Sequence, residues 1–311
     1  MLQIIDLHCD TISEITASNE ALLSNGRHFD LLRAKEAGIC LQVFALFSSS
    51  READSSLREI LIQIDKFYQE LEQNSSHVFQ ILGSNDLQRV DQTDKIACLL
   101  HLEGAEAVGN DLAIFRQLCR MGLRSIGLTW NYSNQLAGGI AEGGNAGGLT
   151  CQGKRILKEM EQSGILLDLS HISEEAFFEA LECYNKPAMV THANARAVCN
   201  HPRNLSDKQL KLLAENGGII GLNQVAHFIK AGKATLEDFL NHAVYISDLI
   251  GVKHLALGSD FDGTDSLVLP GVEAYATLEQ SLYKRGFLPQ EVEMIFQQNA
   301  LRVMKGVLNA L

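Results

Sequence analysis

The sequence predicts an α/β fold and, within that class, a (β/α)₈ barrel of the TIM type. Eight short apolar runs alternate with longer amphipathic stretches along the 311 residues of the chain, a pattern typical of strands and helices in regular alternation. Most of the runs are continuously apolar, as in strands of a parallel sheet that helices cover on both faces. No Gly-x-Gly-x-x-Gly sequence follows the first run, which disfavours the main competitor, a doubly wound open sheet.

The predicted strands follow the apolar runs along the chain. In order, they are IIDLH (4–8), ICLQVFALF (39–47), IACLLHLE (96–103), RSIGLTW (124–130), GILLDLS (164–170), AMVTH (188–192), GGIIGLN (217–223) and HLALGSD (254–260). Because the strands of a barrel are parallel, their carboxyl ends meet at one mouth, and a functional site is expected there.

The predicted helices are the stretches in which apolar residues recur every three to four positions. They span residues 55–73, 111–122, 153–164, 173–184, 206–217, 235–251, 273–285 and 289–308. Ser206 and Gln209 form a capping-box pattern, and glycines such as Gly164 and Gly217 stand where helices should end.

Composition places the chain among ordinary globular proteins, with 46% hydrophobic and 21% charged residues. Only four prolines occur, and no linker or low-complexity segment divides the chain. Residues 1–311 are therefore expected to form a single barrel domain with C-terminal helices. The net charge is −12 and no basic run occurs, which argues against a nucleic-acid partner.

Seven scattered cysteines without a Cys-x-x-Cys motif predict reduced thiols and a cytoplasmic protein. The N-terminus does not resemble a signal peptide. No apolar stretch has the length of a membrane span, so no membrane partner is expected.

Histidines and carboxylates collect at the ends of five predicted strands. The first ends in His8 and Asp10, which are two positions apart and so point to the same face of a strand. The others end in His101 and Glu103, in Asp168 and His171, in His192, and in Asp260. Each residue alone has a structural explanation: Glu103, for example, could form a salt bridge, and Asp260 could cap a helix. Their joint placement at the mouth of a barrel favours a metal site.

The candidate ligands are three histidines and two carboxylates: His8, His171 and His192, with Asp10 and Glu103. This set exceeds the four ligands of one tetrahedral zinc and suits two metal ions that share a carboxylate. The predicted strand 124–130 contains no lysine that could bridge the ions, so Glu103 is the remaining bridge. Asp260 stands apart and is the candidate for proton transfer. Two such ions activate water and polarise a carbonyl, which predicts a metal-dependent hydrolase.

At this point the motifs resemble those of the membrane (renal) dipeptidase family of zinc peptidases, which have amidohydrolase-like barrels. The segments that carry the resemblance are DLHCDT, HLEGAEAV, LDLSHIS, VTHANARAV, NHPRNLSD and GSDFDG, which extend over most of the chain. Each segment alone is weak evidence, but their order and spacing together are specific. The resemblance implies a dipeptidase that uses two Zn²⁺ per subunit and suggests a homodimer.

The resemblance also assigns metal ligands residue by residue. His8 and Asp10, with Glu103 as the bridge, become the ligands of one zinc ion. His171 and His192, again with Glu103, hold the second ion.

Two further roles follow from the resemblance. Asp260 becomes the general acid/base that serves a bridging hydroxide activated by the two metals. Arg203, in the segment HPRNLSD, becomes the residue that binds the terminal carboxylate of the dipeptide. A guanidinium suits that role because its fork pairs with a carboxylate through two hydrogen bonds.

One position departs from the family pattern. Mammalian members carry a histidine after strand four that helps to stabilise the tetrahedral intermediate, whereas this chain has Trp130 in LTWNYSN. An indole N–H donates a hydrogen bond but carries no charge. Asn131 or Asn134 could supply another donor, and we therefore predict that Trp130 and Asn131 bind substrate. The mammalian anchor signal and disulfides are also missing, so the resemblance is to a soluble, bacterial-type member.

Two alternative functions stay open at this stage. One is another binuclear-metal amidohydrolase that acts on a cyclic amide or a lactone. The other is a catalytically weak member that only holds a peptide; Trp130 keeps this alternative open, but the five intact ligands and Asp260 argue against it. The remaining histidines are expected to be structural or solvated: His28, His77, His201, His227, His242 and His254.

Overall fold

The computed structural model describes residues 2–310, and within them nine strands form one parallel sheet. In chain order the strands are β1 (Ile4–Cys9), β2 (Ile39–Phe47), β3 (Val78–Gln80), β4 (Ile96–Glu103), β5 (Leu123–Gly127), β6 (Leu166–Asp168), β7 (Met189–Ala193), β8 (Ile219–Leu222) and β9 (Leu255–Leu257).

Eight of the strands close into a barrel. Around the ring the order is β1, β2, β4, β5, β6, β7, β8 and β9, and β9 pairs back with β1. The ring closes because β2 pairs with β4 from Leu41 opposite Ala97 to Phe47 opposite Glu103. The short strand β3 pairs only with the start of β4. The predicted (β/α)₈ barrel is therefore confirmed, and an open doubly wound sheet is excluded.

Helices connect the strands and surround the ring. They are α1 (Thr11–Ser18), α2 (Leu31–Ala37), α3 (Ala53–Gln73), α4 (Ser84–Leu87), α5 (Leu112–Arg120), α6 (Cys151–Ser163), α7 (Glu174–Cys183), α8 (Asp207–Glu215), α9 (Ala226–Ile229), α10 (Leu236–Ile250), α11 (Tyr275–Lys284), α12 (Pro289–Glu293) and α13 (Asn299–Val307). Short 3₁₀ turns lie at Val90–Gln92, Glu106–Val108, Ile140–Asn145, Val252–His254 and Val272–Ala274, and a π-helical turn at Met294–Gln298 joins α12 to α13.

The predicted end signals act as expected. The Ser206 hydroxyl accepts a hydrogen bond from the backbone N–H of Gln209, and the backbone N–H of Ser206 donates one to Gln209 Oε1. Gly164 ends α6 in the left-handed conformation, with φ of +66°, which glycine adopts without steric cost. Among residues 2–310, no helix is both long and apolar enough to cross a membrane.

Several elements escaped the sequence prediction. The helix α1, of sequence TISEITAS, contains β-branched residues that disfavour helices. It forms because Ile12 and Ile15 are buried in the core. The last barrel strand ends at Leu257, before the predicted end at 260, and Asp260 itself has a left-handed backbone conformation.

Candidate metal centre

The mouth of the barrel brings the first three candidate ligands together. His8 and Asp10 come from the end of β1, and His8 Nε2 lies 3.4 Å from Asp10 Oδ2. Glu103, the last residue of β4, places Oε2 3.8 Å from the same nitrogen. Asp10 precedes α1, yet its carboxylate makes no capping hydrogen bond. These three side chains form one half of the candidate centre.

The second half lies at the other oxygen of Glu103. Its Oε1 is 3.0 Å from His171 Nε2 and 3.6 Å from His192 Nε2. The two Nε2 atoms are 2.8 Å apart. Glu103 therefore faces both halves, with one carboxylate oxygen toward each.

Hydrogen bonds on the far side of these two rings determine where their lone pairs lie. His171 Nδ1 lies 2.8 Å from Asn131 Oδ1, which can only accept, so Nδ1 carries the hydrogen. His192 Nδ1 lies 2.9 Å from Thr191 Oγ1. The Thr191 hydroxyl donates its only hydrogen to Asp168, so this Nδ1 is also a donor. Both Nε2 atoms consequently direct lone pairs toward each other.

The resulting cluster of lone pairs fits a metal cation. Two imidazole lone pairs converge on Glu103 Oε1, and burial raises the pKa of Glu103 well above its ordinary value. A bound cation would stabilise both the lone pairs and the ionised carboxylate. Burial lowers the pKa of both His171 and His192 well below the ordinary value, so protonation does not supply that charge. Imidazole nitrogen and carboxylate oxygen are donors that zinc takes in proteins.

His8 has the same need for a partner. Its side chain is fully buried, yet neither ring nitrogen makes a hydrogen bond with any residue between 2 and 310. Burial lowers the pKa of His8, but the charges of Glu103, Asp10 and Asp260 outweigh that effect and raise it to about 10. Two overlapping sets have ligand atoms within 4.8 Å of one another: His8 with Glu103 and His192, and His8 with Asp10 and Asp260.

The Asp260 carboxylate is positioned by a left-handed backbone conformation and by a hydrogen bond from Asn223. The φ of Asp260 is +64°, and that of His171 is +63°, a region that non-glycine residues rarely adopt and that occurs preferentially at functional sites. Asn223 Nδ2 donates a 2.9 Å hydrogen bond to Asp260 Oδ2. Burial, reinforced by the charge of Asp10, raises the pKa of Asp260 above its ordinary value. The sequence reasoning missed Asn223, although it is a polar residue at a strand end like the others.

The strand-end residue Asp168 accepts hydrogen bonds from the residues next to the candidate ligands His171 and His192. Its Oδ1 accepts hydrogen bonds from the backbone N–H groups of Ser170 and Thr191, at 3.0 and 2.9 Å, and its Oδ2 accepts the Thr191 hydroxyl at 2.7 Å. His101 Nε2 lies 3.4 Å from Oδ2, and His101 Nδ1 contacts Ser125 Oγ at 2.9 Å. Asp168 is occupied by these contacts and lies outside the converging ligands, whereas the buried His101 Nε2 has no hydrogen-bond partner among residues 2–310.

Arg203 lies beside the centre in a buried position. Its Nη2 donates to the backbone oxygen of His192 at 3.1 Å. Its Nε is buried and has no hydrogen-bond partner in the described part of the chain. Burial lowers the pKa of Arg203, while Asp260 and Glu103 oppose that effect. A guanidinium N–H without a partner is a ready donor for an anionic ligand.

A cavity of about 530 Å³ opens above the centre. Its lining contains Asp10, Glu103, His171, Arg203 and Asp260, together with Trp130 and Asn131. Trp130 packs on Phe47, with ring centroids 5.1 Å apart, and lies 6.1 Å from the His171 ring. The Asn131 oxygen is occupied by His171, so this residue orients a candidate ligand as well as lining the cavity.

Other expectations also meet the structure at this cavity. His201 is half-buried and His227 is exposed, which agrees with a structural or solvated role, and both line the cavity. Asn134, considered as a hydrogen-bond donor to substrate, instead donates to Glu106 Oε1 at 3.0 Å and to the backbone oxygen of Leu128 at 2.8 Å. These contacts depend on how loops fold over the mouth, which residue spacing does not reveal.

A closed (β/α)₈ barrel with histidines and carboxylates converging at its C-terminal mouth is typical of barrel proteins that bind metal ions at that mouth. The chain belongs to the family described as membrane dipeptidase (peptidase family M19), which residues 1–310 match. This finding confirms the resemblance that the six sequence segments suggested.

Similar proteins agree with this assignment. Dipeptidase tcpJ of Claviceps purpurea is 32% identical over 258 residues, which cover 81% of this chain and 61% of that protein. This chain thus spans less than two thirds of the length of that curated relative. A solved structure of dipeptidase AC, a metallopeptidase of family M19, is 25% identical, has a TM-score of 0.93 and is matched over 99% of both chains.

A metallopeptidase from Rhodobacter sphaeroides, solved with a phosphinate mimic of the dipeptide L-Ala-D-Ala, shares the fold. It is 24% identical, with a TM-score of 0.93 over 98% of this chain and 99% of that chain.

Proposed function

We propose that this protein is a zinc-dependent dipeptidase that hydrolyses the peptide bond of dipeptides. One observation carries the proposal: the Nε2 lone pairs of His171 and His192 converge with Glu103 Oε1 in a buried site. Membership of the dipeptidase family supports the reaction type, since family and site point to the same chemistry.

The proposed centre would hold two Zn²⁺ ions per subunit, with Glu103 as the proposed bridge. His8 and Asp10 would be ligands of one ion, and His171 and His192 of the other. When bound, such ions polarise a carbonyl and lower the pKa of a water molecule held between them. The two oxygens of Glu103 face the two halves separately, which supports its role as the bridge.

Arg203 is proposed to bind the terminal carboxylate of the dipeptide. Its unpartnered Nε is buried next to the candidate ligand His192. A carboxylate would satisfy this N–H and pair with the positive charge, in a site where burial makes both interactions strong. This contact would fix one end of the substrate so that the peptide bond lies over the centre.

Asp260 is proposed to act as general acid and base. Its carboxylate lines the cavity and is held by Asn223 on one oxygen, which leaves the other oxygen to accept a proton from the attacking water. Burial raises its pKa, so it can hold that proton and pass it to the nitrogen of the leaving amine. Trp130 and Asn131 are proposed to contact the substrate from the opposite side of the centre.

We also propose, from the sequence, a single barrel domain, a cytoplasmic location and a homodimer. The location is supported by the cysteines, all seven of which are free. The homodimer is implied only by the family.

The proposal is tested with metal-free protein, prepared with a chelator, and with the same protein after zinc is restored. Both forms are assayed on L,L and L,D dipeptides, on a cyclic amide and on a lactone, and bound zinc is counted by elemental analysis. Zinc-dependent cleavage of dipeptides with two ions per chain is the expected result. Cleavage of the cyclic substrates alone would favour another amidohydrolase, and cleavage of none would contradict catalysis altogether.

Substitution Asp260→Asn tests the proton-transfer role, with Asp265→Asn as the matched control. Asp265 is exposed on the same loop and does not line the cavity. Full dipeptidase activity in the Asp260 variant would contradict the proposed mechanism.

A further inference from the structure

An aromatic wall stands next to Arg203 in the cavity. It consists of His201, His227 and Phe228, and we call it the histidine wall. The His201 ring lies 4.5 Å from Phe228 and 5.5 Å from His227. The guanidinium carbon of Arg203 lies 5.6 Å from the Phe228 ring centroid. The wall is therefore continuous with the residue proposed to hold the substrate carboxylate.

A second aromatic wall lies across the cavity and consists of Phe47 and Trp130, with ring centroids 5.1 Å apart. Phe47 ends β2 and Trp130 follows β5, so these residues flank Glu103 at the end of β4. The histidine wall follows β7 and β8. In the ring of eight strands, β7 lies opposite β2 and β8 lies opposite β4. The two walls therefore face each other with the candidate metal centre between them.

The substrate orientation decides which wall meets which side chain. In an α-amino acid the side chain and the carboxylate are attached to the same carbon. If Arg203 holds the carboxylate of the C-terminal residue, the side chain of that residue starts one carbon away, next to the histidine wall that adjoins Arg203. The N-terminal residue, on the far side of the peptide bond, is then directed toward Phe47 and Trp130.

The chemistry of the histidine wall favours particular side chains. His201 Nδ1 accepts the backbone N–H of Arg203 at 3.2 Å, so its Nε2 carries the hydrogen and is a donor. That Nε2 has no hydrogen-bond partner among residues 2–310. Burial, with help from His227 and Arg203, lowers the pKa of His201 to about 4, so the ring is neutral at physiological pH. Neither segment of the wall, 201–203 or 225–228, contributes a carboxylate.

We propose that the histidine wall selects the C-terminal residue of the dipeptide and favours side chains with hydrogen-bond acceptors, such as glutamate and glutamine, over cationic ones. The inference rests on the proposed dipeptidase function and on Arg203 as the carboxylate site. Ring N–H donors and the nearby guanidinium attract acceptor atoms and repel an ammonium group.

The test uses His227→Leu, because the His227 side chain makes no hydrogen bond among the described residues. Phe47→Leu probes the opposite wall, and His77→Leu is the matched control at the start of β3, at the other end of the barrel. Zinc-loaded proteins are assayed for kcat/KM on Ala-Glu, Ala-Gln, Ala-Leu and Ala-Lys, and on the reversed dipeptides with alanine at the C-terminus. The same dipeptides are titrated by calorimetry to obtain Kd.

We expect His227→Leu and Phe47→Leu each to change the kcat/KM ratios of only one of the two dipeptide series. His227→Leu should lower the preference for Ala-Glu over Ala-Lys by about tenfold, the size expected for losing one hydrogen bond to a charged group, and should leave the Glu-Ala to Lys-Ala ratio unchanged. Phe47→Leu should change only the reversed series, and His77→Leu neither. Equal effects of His227→Leu on both series, or on neither, would overturn the inference.

Failure of the proposed function gives a different pattern. If the wild type cleaves no dipeptide but its Kd ratios shift as described, the dipeptidase proposal fails and the specificity inference stands. If it neither cleaves nor binds any of them, both fail.

Discussion

Replacing Thr191 by valine should weaken metal binding without removing any proposed ligand. The Thr191 hydroxyl donates to Asp168 Oδ2 at 2.7 Å and accepts from His192 Nδ1 at 2.9 Å. Valine keeps the shape of threonine but has no hydroxyl. The substitution therefore frees the His192 ring, which no longer has a partner that keeps its hydrogen on Nδ1 and its lone pair on Nε2.

The size of the effect follows from burial. Thr191, Asp168 and His192 are all at most 1% exposed, so water cannot replace the lost contacts. Leaving a carboxylate oxygen and an imidazole N–H each short of one partner should cost about 2–4 kcal/mol of unfolding free energy. Loss of such support around a metal ligand typically lowers metal affinity by about 10–100-fold.

The assay separates the two consequences. Urea unfolding of the metal-free protein measures stability, and competition with a chelator measures zinc affinity. The control Thr191→Ser keeps the hydroxyl and should bind zinc nearly as tightly as the wild type, while losing about 1 kcal/mol for the buried methyl group. If Thr191→Val matched the wild type in both measurements, the hydrogen-bond chain would not orient His192 and the reasoning would be refuted.

Three other substitutions probe different parts of the molecule. Arg203→Lys should raise KM for dipeptides by about tenfold with less effect on kcat, since lysine cannot form a two-bond fork; an unchanged KM in steady-state kinetics would contradict the carboxylate role. Asp260→Asn should lower kcat by about 10²–10⁴-fold with little change in KM, and a variant with normal kcat would exclude proton transfer by this residue. Gly258→Ala should lower the unfolding free energy by about 3 kcal/mol because its methyl group would overlap the Thr191 carbonyl. Gly26→Ala, where a methyl group meets nothing within 4 Å, is the control in the same denaturant titration.

Under the proposed function, the position of Trp130 would affect how strongly the substrate is bound. Its indole packs between Phe47 and Tyr132, with ring centroids 5.1 and 6.2 Å away. A tryptophan held in this way offers a large apolar surface and one N–H donor to the substrate. We infer that Trp130 contributes contact with the substrate side chain. A charged residue at the same position would instead stabilise the transition state.

Much of the fold was accessible from the sequence because local patterns encode it. Continuous apolar runs mark strands buried on both faces, and the alternation with amphipathic helices predicted the closed barrel. The placement of His8, Glu103, His192 and Asp260 at or just after strand ends followed from the same pattern, since parallel strands deliver their carboxyl ends to one mouth. The six family segments by themselves indicate the family.

The tertiary structure decided how those residues are oriented and supported. The tautomers of His171 and His192 depend on Asn131 and on Thr191, and the latter acts only because Asp168 takes its hydrogen. The histidine wall forms because segments 201–203 and 225–228, which follow two different strands, meet at the mouth.

Sequence patterns determine which residues reach the mouth of the barrel, because strand and helix periodicity is local. Which atoms face one another there depends on loop conformation, on left-handed residues such as His171 and Asp260, and on hydrogen bonds between distant segments. These are properties of the packed chain, since each needs a partner that sequence spacing alone does not place.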